Sequence, residues 1–403
     1  MPLSSKPYWF VLGREPLLSL AEILAATKVT TFNWLQPNIV SILSAQEPGP
    51  LVKQLGGTVK IAKELAHNVT LASFPDICLS FLTPLPGKIV FGLSFYQSES
   101  GKAHLTTKDL ETLGKAIKRA GKNQGRSVRY IQNRTPILSS ATVFHNGLVD
   151  RGVEFLIVPK GNSFMLARTV ALQPFEDFSK RDYGRPASDA RSGMLPPKLA
   201  LMLLNFSGAP LSASILDPFC GSGTILMEAL MRGFSTVSGS DVSPKAIADS
   251  QKNIDWLKGQ WKTISGQAKL EVGDVQSLVD RLPAHSIDAI VTEPFLGPPQ
   301  TGHASPAELE NSSNDLLALY FTSFQQFKKI LRPGGVIIFV VPRFKKTNGW
   351  LTISERLVPK LVQLGFVPQA LLPPSLHSEP FLLYHRPDQH VAREIWKFVI
   401  PNN

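Results

Sequence analysis

Asp217-Pro218-Phe219-Cys220-Gly221-Ser222-Gly223-Thr224 decides the fold of this chain. The apolar pair Ile215 and Leu216 precedes it, and Ile225, Leu226, Ala229 and Leu230 follow with helical spacing. Strand, glycine turn and helix in that order form the ligand-binding edge of a parallel sheet. Gly221 and Gly223 allow a sharp bend and a close approach of backbone to ligand. The helix that starts there offers free N–H groups to a negative group. Asp217, at the strand's end, can accept a hydrogen bond from an ammonium. A ligand carrying both an amine and a carboxylate fits that pair, and S-adenosylmethionine (SAM) is one. A nicotinamide fingerprint calls for a third glycine at position 226, where this chain has Leu226. A glycine turn with no ligand is the plain alternative.

The pattern continues through four more strands. Strand-like runs recur at Thr236 to Gly239, Lys269 to Val272, Ile287 to Thr292 and Val336 to Val341, with helical patterns between them. Pro196 and Pro197 open a further helix, Leu199 to Leu204, that Gly208 ends. The fold expected from residue 193 onward is α/β, a Rossmann-like, doubly wound and mostly parallel sheet. Asp241 ends the second strand and can take both ribose hydroxyls of a nucleoside. Asp274 ends the third and can accept from an adenine amino group, and each could instead be a helix N-cap. Phe219, Thr224, Val242 and Val275 flank these positions and complete the expected cofactor set.

The fourth strand ends in Thr292-Glu293-Pro294-Phe295-Leu296-Gly297. Methyl transfer to an exocyclic amine needs the nitrogen lone pair freed from ring conjugation. A carboxylate and a backbone carbonyl, each accepting one N–H, hold the amine that way. Glu293 is the expected acceptor, the Pro294 carbonyl its partner and Phe295 a stacking platform. The competing reading is a buried acid capping the next helix, with Phe295 in the core. Cys220 lies in the cofactor turn with no evident base, so covalent catalysis from it is disfavoured.

The chain has 403 residues, 43% hydrophobic and 18% charged, as in a soluble globular protein of two or three domains. No uncharged apolar run reaches the roughly 20 residues that span a bilayer, and no secretory signal is read, so the expected setting is cytoplasmic. Two cysteines, Cys78 and Cys220, give no disulfide framework, and eight scattered histidines give no metal spacing. The net charge of +11 is uneven. Residues 1–192 hold 23 Lys+Arg against 14 Asp+Glu, and residues 193–403 hold 19 against 17. A basic region beside a near-neutral catalytic one suits a polyanionic substrate, although a solvated basic surface gives the same count. The excess peaks from Lys102 to Arg134, with nine Lys+Arg and two acids. Lys115, Lys118, Arg119 and Lys122 have helical spacing, and Arg126, Arg129 and Arg134 follow with Tyr130 interleaved. A phosphate-tracking surface is expected there.

Before residue 174, strands are expected at Tyr8 to Leu12, at Leu55 to Ala62 after a turn, and at Ile89 to Tyr96, Val128 to Ile131 and Glu154 to Val158. Pro16 opens a helix, and another runs from Thr107 to Ala120, stopped by Gly121. Residues 174–192 read as a charged connector with little periodicity.

YWFVLGREPLLSLAEI, LGGTVKIA, LSSATVFHNGL, KRDYGRPASDARSGMLPPKLA, DPFCGSGTILMEAL, SDVSPKA and YHRPDQHVAREI together resemble the THUMP-domain tRNA guanosine-N2-methyltransferases of the guanosine-10 type. The resemblance covers nearly the whole chain. It implies an N-terminal α+β ferredoxin-like domain (1–65), a THUMP RNA-binding domain (66–173), a linker (174–192) and a SAM methyltransferase domain (193–403). It implies cofactor binding by Asp217, Gly221, Gly223 and Asp241, with Asp274 near adenine. The implied partners are tRNA and, as in some family members, a small activating protein. The family's acceptor motif is Asp-Pro-Pro-Tyr, whereas this chain has Glu293-Pro294-Phe295-Leu296, which keeps the carboxylate on a longer arm and moves the ring by one residue. Methylation of another nucleobase amine, such as adenine N6, and a non-catalytic protein that holds SAM and tRNA are the alternatives.

Overall fold

The computed structural model describes residues 5–97, 104–132, 134–188, 194–299, 305–386 and 389–402. Lys102 of the basic stretch, residues 189–192 of the connector, and Pro387 and Asp388 of the C-terminal motif lie outside the described residues. The chain divides into two compact units, Met1–Phe175 and Glu176–Asn403.

The first unit is built on β1 (Lys6–Leu12), β2 (Asn33–Gln36), β3 (Ile39–Ser44), β4 (Thr58–Val69), β5 (Ile89–Phe95), β6 (Val128–Ile131), β7 (Val153–Lys160) and β8 (Ser163–Leu172). They form one sheet in the order β2-β3-β1-β4-β8-β7-β5-β6. Its helices are α1 (Pro16–Thr27), α2 (Pro48–Lys53), α3 (Phe74–Leu82), α4 (Thr107–Asn123) and α5 (Ser140–His145). The boundary expected at 65/66 falls inside β4, which pairs with β1 on one side and β8 on the other. Backbone hydrogen bonding thus runs unbroken through both expected domains. The two glycines of LGGTVKIA are held by buried side chains. Gly56 and Gly57 N–H donate to the Glu22 carboxylate at 2.7 and 2.8 Å, and Gln173 donates to the Leu55 and Gly56 carbonyls.

Strand alternation assigns the two faces of this sheet. Phe91, Phe155 and Ile157 pack with Phe74, Leu110 and Ile117 of α3 and α4. On the other face Ile131, Leu138, Val143 and Leu148 form a cluster with α5. That second face also buries an ion pair. Lys60 Nζ lies 2.6 Å from Glu154 Oε1 and 2.9 Å from the Leu138 carbonyl. Ser94 and Thr169 complete the carboxylate with two bonds of 2.6 Å.

Helix α4 opens with a Thr106–Asp109 capping box. It runs to Asn123, beyond the expected stop at Gly121. Gly121 is there for packing, since a Cβ would sit 2.6 Å from Val128 Cγ2. Gly114 plays the same part beneath Tyr130, whose ring would lie 2.5 Å from an added Cβ.

The second unit contains α6 (Phe175–Tyr183), α7 (Pro197–Ser207), β9 (Ser214–Asp217), α8 (Thr224–Arg232), β10 (Thr236–Asp241), α9 (Pro244–Gln260), β11 (Gln267–Val272), α10 (Leu278–Arg281), β12 (Ile287–Thr292), α11 (Pro306–Ile330), β13 (Leu331–Lys345), β14 (Trp350–Thr352), α12 (Ser354–Gln363), β15 (Val367–Gln369), β16 (Leu382–Tyr384) and β17 (Val391–Val399). Its sheet has the order β11-β10-β9-β12-β13-β17-β15, with β14 on β13 and β16 on β17. Strands β11, β10, β9, β12 and β13 are parallel, and β17 joins β13 antiparallel. The strand order reverses between β9 and β12. The doubly wound, mostly parallel sheet expected from the sequence is present.

The expected connector is half helical. In α6, Arg181 is buried and forks onto Glu228 of α8 at 2.5 and 3.1 Å, with the Phe178 ring 4.5 Å from its guanidinium carbon. Charges of the expected connector are in part a buried pair. This hides the helix from a hydrophobicity pattern.

Replacing one partner of a saturated buried pair strands the other. Lys60→Met is expected to lower stability by about 3–5 kcal/mol, and Lys60→Met/Glu154→Leu to recover most of that loss. Urea unfolding followed by circular dichroism measures both. Equal losses in the single and double variants would refute the account.

Candidate active site

The carboxyl ends of β9, β10, β11 and β12 border one cavity of about 620 Å³ in the second unit. Eleven of the twelve catalytic and cofactor positions expected from the sequence line it: Phe295 and, besides it, Asp217, Phe219, Gly221, Thr224, Asp241, Val242, Asp274, Val275, Glu293 and Pro294. Gly223 caps α8 just behind the lining with φ +85°. A Cβ at Gly223 would lie 2.8 Å from Ser250 Oγ, so glycine is required there by both conformation and space.

The turn is fixed by side chains from the next strand and helix. Asp241 accepts from Gly221 N–H at 3.0 Å and from Ser243 N–H at 2.9 Å. Ser250 donates to the Gly221 carbonyl at 2.8 Å, and Asn253 to the Ser222 carbonyl at 2.9 Å. Asp274 sits at the third strand's end, as expected. It lines the cavity and also caps a short turn by accepting from Gln276 N–H at 2.9 Å. Cys220 is buried, and burial raises its thiol far above the ordinary range, as a packing residue requires.

Asp217 is 2% exposed. Thr292, ending β12, donates to its Oδ1 at 2.6 Å across the strand-order reversal, and Phe219 N–H donates to the same oxygen at 3.2 Å. Burial first, then the charges of Asp241 and Glu293, push its carboxyl up to about 7, against the two hydrogen bonds. A buried carboxyl in that state gains most from a cationic group. The lining carries Asp217, Asp241, Asp249, Asp274 and Glu293 against one cation, Lys245, itself 2.5 Å from Asp249. An ammonium or sulfonium ligand fits these walls.

At the acceptor edge, Glu293 and Pro294 are largely buried and Phe295 is 58% exposed, so the ring is not in the core. Tyr320 donates to the Phe295 carbonyl at 2.6 Å. Among the described residues no donor reaches the Pro294 carbonyl. The sequence reading missed two groups. Arg393, on β17, is paired with Glu293. Arg185 donates from Nη1 to Thr224 Oγ1 at 2.6 Å, behind the glycine turn. Both lie within quoted motifs, YHRPDQHVAREI and KRDYGRPASDARSGMLPPKLA, which is the only signal that marks them.

The basic stretch in the first unit is only partly one surface. Lys118, Arg119 and Lys122 are exposed on one side of α4, and Lys115 joins them while pairing with Glu111 at 2.6 Å. Arg126 is half-buried and donates to the Leu85 carbonyl. Val128 and Tyr130 face α4, so strand alternation puts the exposed Arg129 on the opposite face of the sheet. Arg134 is exposed beyond the strand. Tyr130 packs inward, its ring 5.2 Å from Phe91 and its hydroxyl bonding the Leu110 carbonyl at 3.2 Å. No group of His, Cys, Asp and Glu that could hold a metal occurs among the described residues, and no described helix is long and apolar enough to cross a membrane.

Residues 185–352 match the UPF0020 family, described as an RMKL-like methyltransferase domain. The fold is similar to that of TrmN from Thermus thermophilus, with a TM-score of 0.55 at 18% identity over 98% of this chain and 99% of that one. A methyltransferase solved as a complex with S-adenosylhomocysteine superposes with a TM-score of 0.50 at 12% identity, covering 97% of this chain and 98% of the other. The second unit is a SAM-dependent methyltransferase domain. A Methanothermobacter thermautotrophicus tRNA (guanine(10)-N2)-dimethyltransferase is 30% identical over 184 residues, 45% of this chain and 48% of that protein. A Methanothermococcus thermolithotrophicus relative named for the same reaction is 31% identical over 120 residues, 30% of this chain and 73% of its own length. The chain belongs to the tRNA (guanine(10)-N2)-dimethyltransferase family. It spans about half the length of the first of these relatives.

The raised Asp217 carboxyl is expected to give cofactor binding a pH dependence. Below about 7 it is protonated and offers an ammonium no charge, so binding must first expel the proton. The dissociation constant for SAM is expected to rise about tenfold per pH unit below 7. Asp217→Asn is expected to bind weakly with no such slope, and calorimetric titration from pH 5.5 to 8.5 measures both. The ligand-free protein has the opposite dependence. Its raised carboxyl contributes stability that is present in acid and lost as pH rises through about 7.

Proposed function

We propose that the protein is a SAM-dependent tRNA methyltransferase that transfers a methyl group to the exocyclic N2 of a guanosine, position 10 on the family's pattern. The observation that carries this reading is one cavity lined by Glu293, Pro294 and the exposed Phe295 together with Asp217 and the cofactor turn. Asp217 takes the cofactor's ammonium, the turn from Gly221 to Thr224 its carboxylate, Asp241 its ribose and Asp274 with Val275 its adenine. SAM supplies an electrophilic methyl group when bound. Glu293 and the Pro294 carbonyl each accept one N–H of the target amine and hold its lone pair towards that methyl. Phe295 stacks on the flipped base.

The THUMP assignment for 66–173 belongs to the same proposal. The exposed cations of α4, Lys115, Lys118, Arg119 and Lys122, contact tRNA phosphates there. Arg134 adds to them, Arg129 serves a separate face, and Arg126 acts by holding its loop. A small activating protein is the remaining expected partner.

Unmodified tRNA incubated with methyl-labelled SAM and digested to nucleosides is expected to yield labelled N2-methylguanosine by mass spectrometry. Another labelled nucleoside would overturn the base assignment. An unlabelled digest with both ligands bound would point to the activating protein or to a binding role. Phe295→Ala is expected to cost about tenfold or more in kcat/KM, because base stacking is worth about 1–3 kcal/mol. Lys118→Ala/Arg119→Ala/Lys122→Ala is expected to weaken tRNA binding uniformly across sequences. It should also flatten the salt dependence by about three phosphate contacts. An unchanged salt slope would remove α4 from the interface.

A further inference from the structure

Glu293 is held by a side chain one hundred residues away in sequence. Arg393 Nε donates to Glu293 Oε1 at 2.5 Å, while Nη2 lies 3.5 Å from Oε2. Strand β13 lies between them. Thr292, the last residue of β12, is opposite Phe339, and Arg393 on β17 is opposite Pro342. Both long side chains therefore reach across the end of β13 on one face of the sheet. The next residue on β17 faces away, since Glu394 bonds Arg343 at 2.7 Å and Trp396 Nε1 at 2.9 Å. Tyr384, in register with Arg393 on β16, places its ring centroid 6.0 Å from the guanidinium carbon.

Side-chain exposure is 8% for Arg393 and 13% for Glu293, yet Glu293 lines the cavity. The contact is asymmetric. Oε1 accepts a short, charge-assisted bond, and Oε2 is only weakly engaged and keeps the capacity to accept another N–H. A glutamate has one more torsion than an aspartate, and a free glutamate samples many carboxylate positions. The guanidinium fork removes that freedom.

We propose that Arg393 is a positioning residue for methyl transfer, clamping Glu293 through Oε1 so that Oε2 is presented to the target amine. The role rests on the reading of Glu293 as the amine's acceptor. Arg393 acts through Glu293 and does not itself touch the base. The longer acid in this acceptor edge works because a second strand supplies its clamp.

A double-mutant cycle in the full chain tests this, with tRNA, labelled SAM and calorimetric SAM binding. Arg393→Met is expected to lower kcat about a hundredfold, with KM for tRNA and the dissociation constant for SAM within about threefold. Arg393→Lys keeps the charge without the fork and is expected to lose about tenfold, which carries the test if the methionine variant does not fold. Glu293→Gln is expected to be at least as impaired as Arg393→Met, and the double variant no worse than Glu293→Gln alone. Additive losses, a wild-type kcat in both Arg393 variants, or a loss explained by weaker SAM binding would overturn the proposal. Full turnover by Glu293→Gln would instead remove the acceptor reading itself. An inactive Glu293→Gln beside a fully active Arg393→Met would remove only the role of Arg393.

Discussion

A parallel sheet cannot be wound outward in both directions without leaving a gap where the two windings begin. In the second unit that gap lies between β9 and β12, at the carboxyl ends of the two strands. A crossover helix packs against the sheet faces, so neither winding covers this edge. Everything at the site follows from that opening. Asp217 ends one strand and Thr292 the other, and their 2.6 Å hydrogen bond ties the two windings together. The carboxyl is nevertheless buried, with Asp241 and Glu293 nearby, and holds its proton to about 7. Such a group is unfavourable in its charged form until a cation arrives, so the site is built for one.

Three buried or nearly buried ion pairs show how differently the same chemistry is used. Lys60–Glu154 is fully enclosed, and Ser94, Thr169 and the Leu138 carbonyl complete its bonds. Arg181–Glu228 is a forked pair under α6. Both are closed, with side-chain exposure of a few percent, and fix one element against another. Arg393–Glu293 differs in two respects. One oxygen is weakly held, and the acid borders the cavity. A pair whose only task was to join strands would gain from filling both oxygens and withdrawing from the opening.

The glycine turn and the five parallel strands were legible because each signal is local. A strand, its turn and the start of its helix occupy about a dozen consecutive residues, and hydrophobic runs mark buried parallel strands directly. What escaped was set by partners distant in sequence. Helix α6 buries a charge against Glu228, so its inward face does not read as apolar. Gly121 read as a helix stop because the glycine signal for a C-cap is the same as for a close contact, here with Val128. Tyr130 read as part of a basic surface, but Gly114 opens a slot for its ring. Strands β14 to β16 are three residues each, too short for any periodicity, and Arg393 is paired across a gap of one hundred residues. Strand β4 is continuous where a domain boundary was expected, because pairing on both sides carries it across.

The acceptor edge raises the question of where base specificity resides. Phe295 is fixed through its backbone, since Tyr320 binds its carbonyl and Gly297, two residues on, adopts φ +91°. Its exposed ring has no hydroxyl, so it can stack on any base and reads none. Discrimination at the edge therefore falls to groups that meet the base's hydrogen-bonding atoms. On the proposed reading those groups are Glu293 and the Pro294 carbonyl, which offer acceptors only, and an acceptor pair selects for an amine without distinguishing which ring bears it. The remaining selection must come from how the nucleic acid is delivered. On the proposed reading, the first unit would supply those contacts through the exposed cations of α4. A stacking residue without a polar handle thus shifts the burden of specificity from the pocket to the substrate's shape and its phosphate contacts, which fix register but carry no base identity.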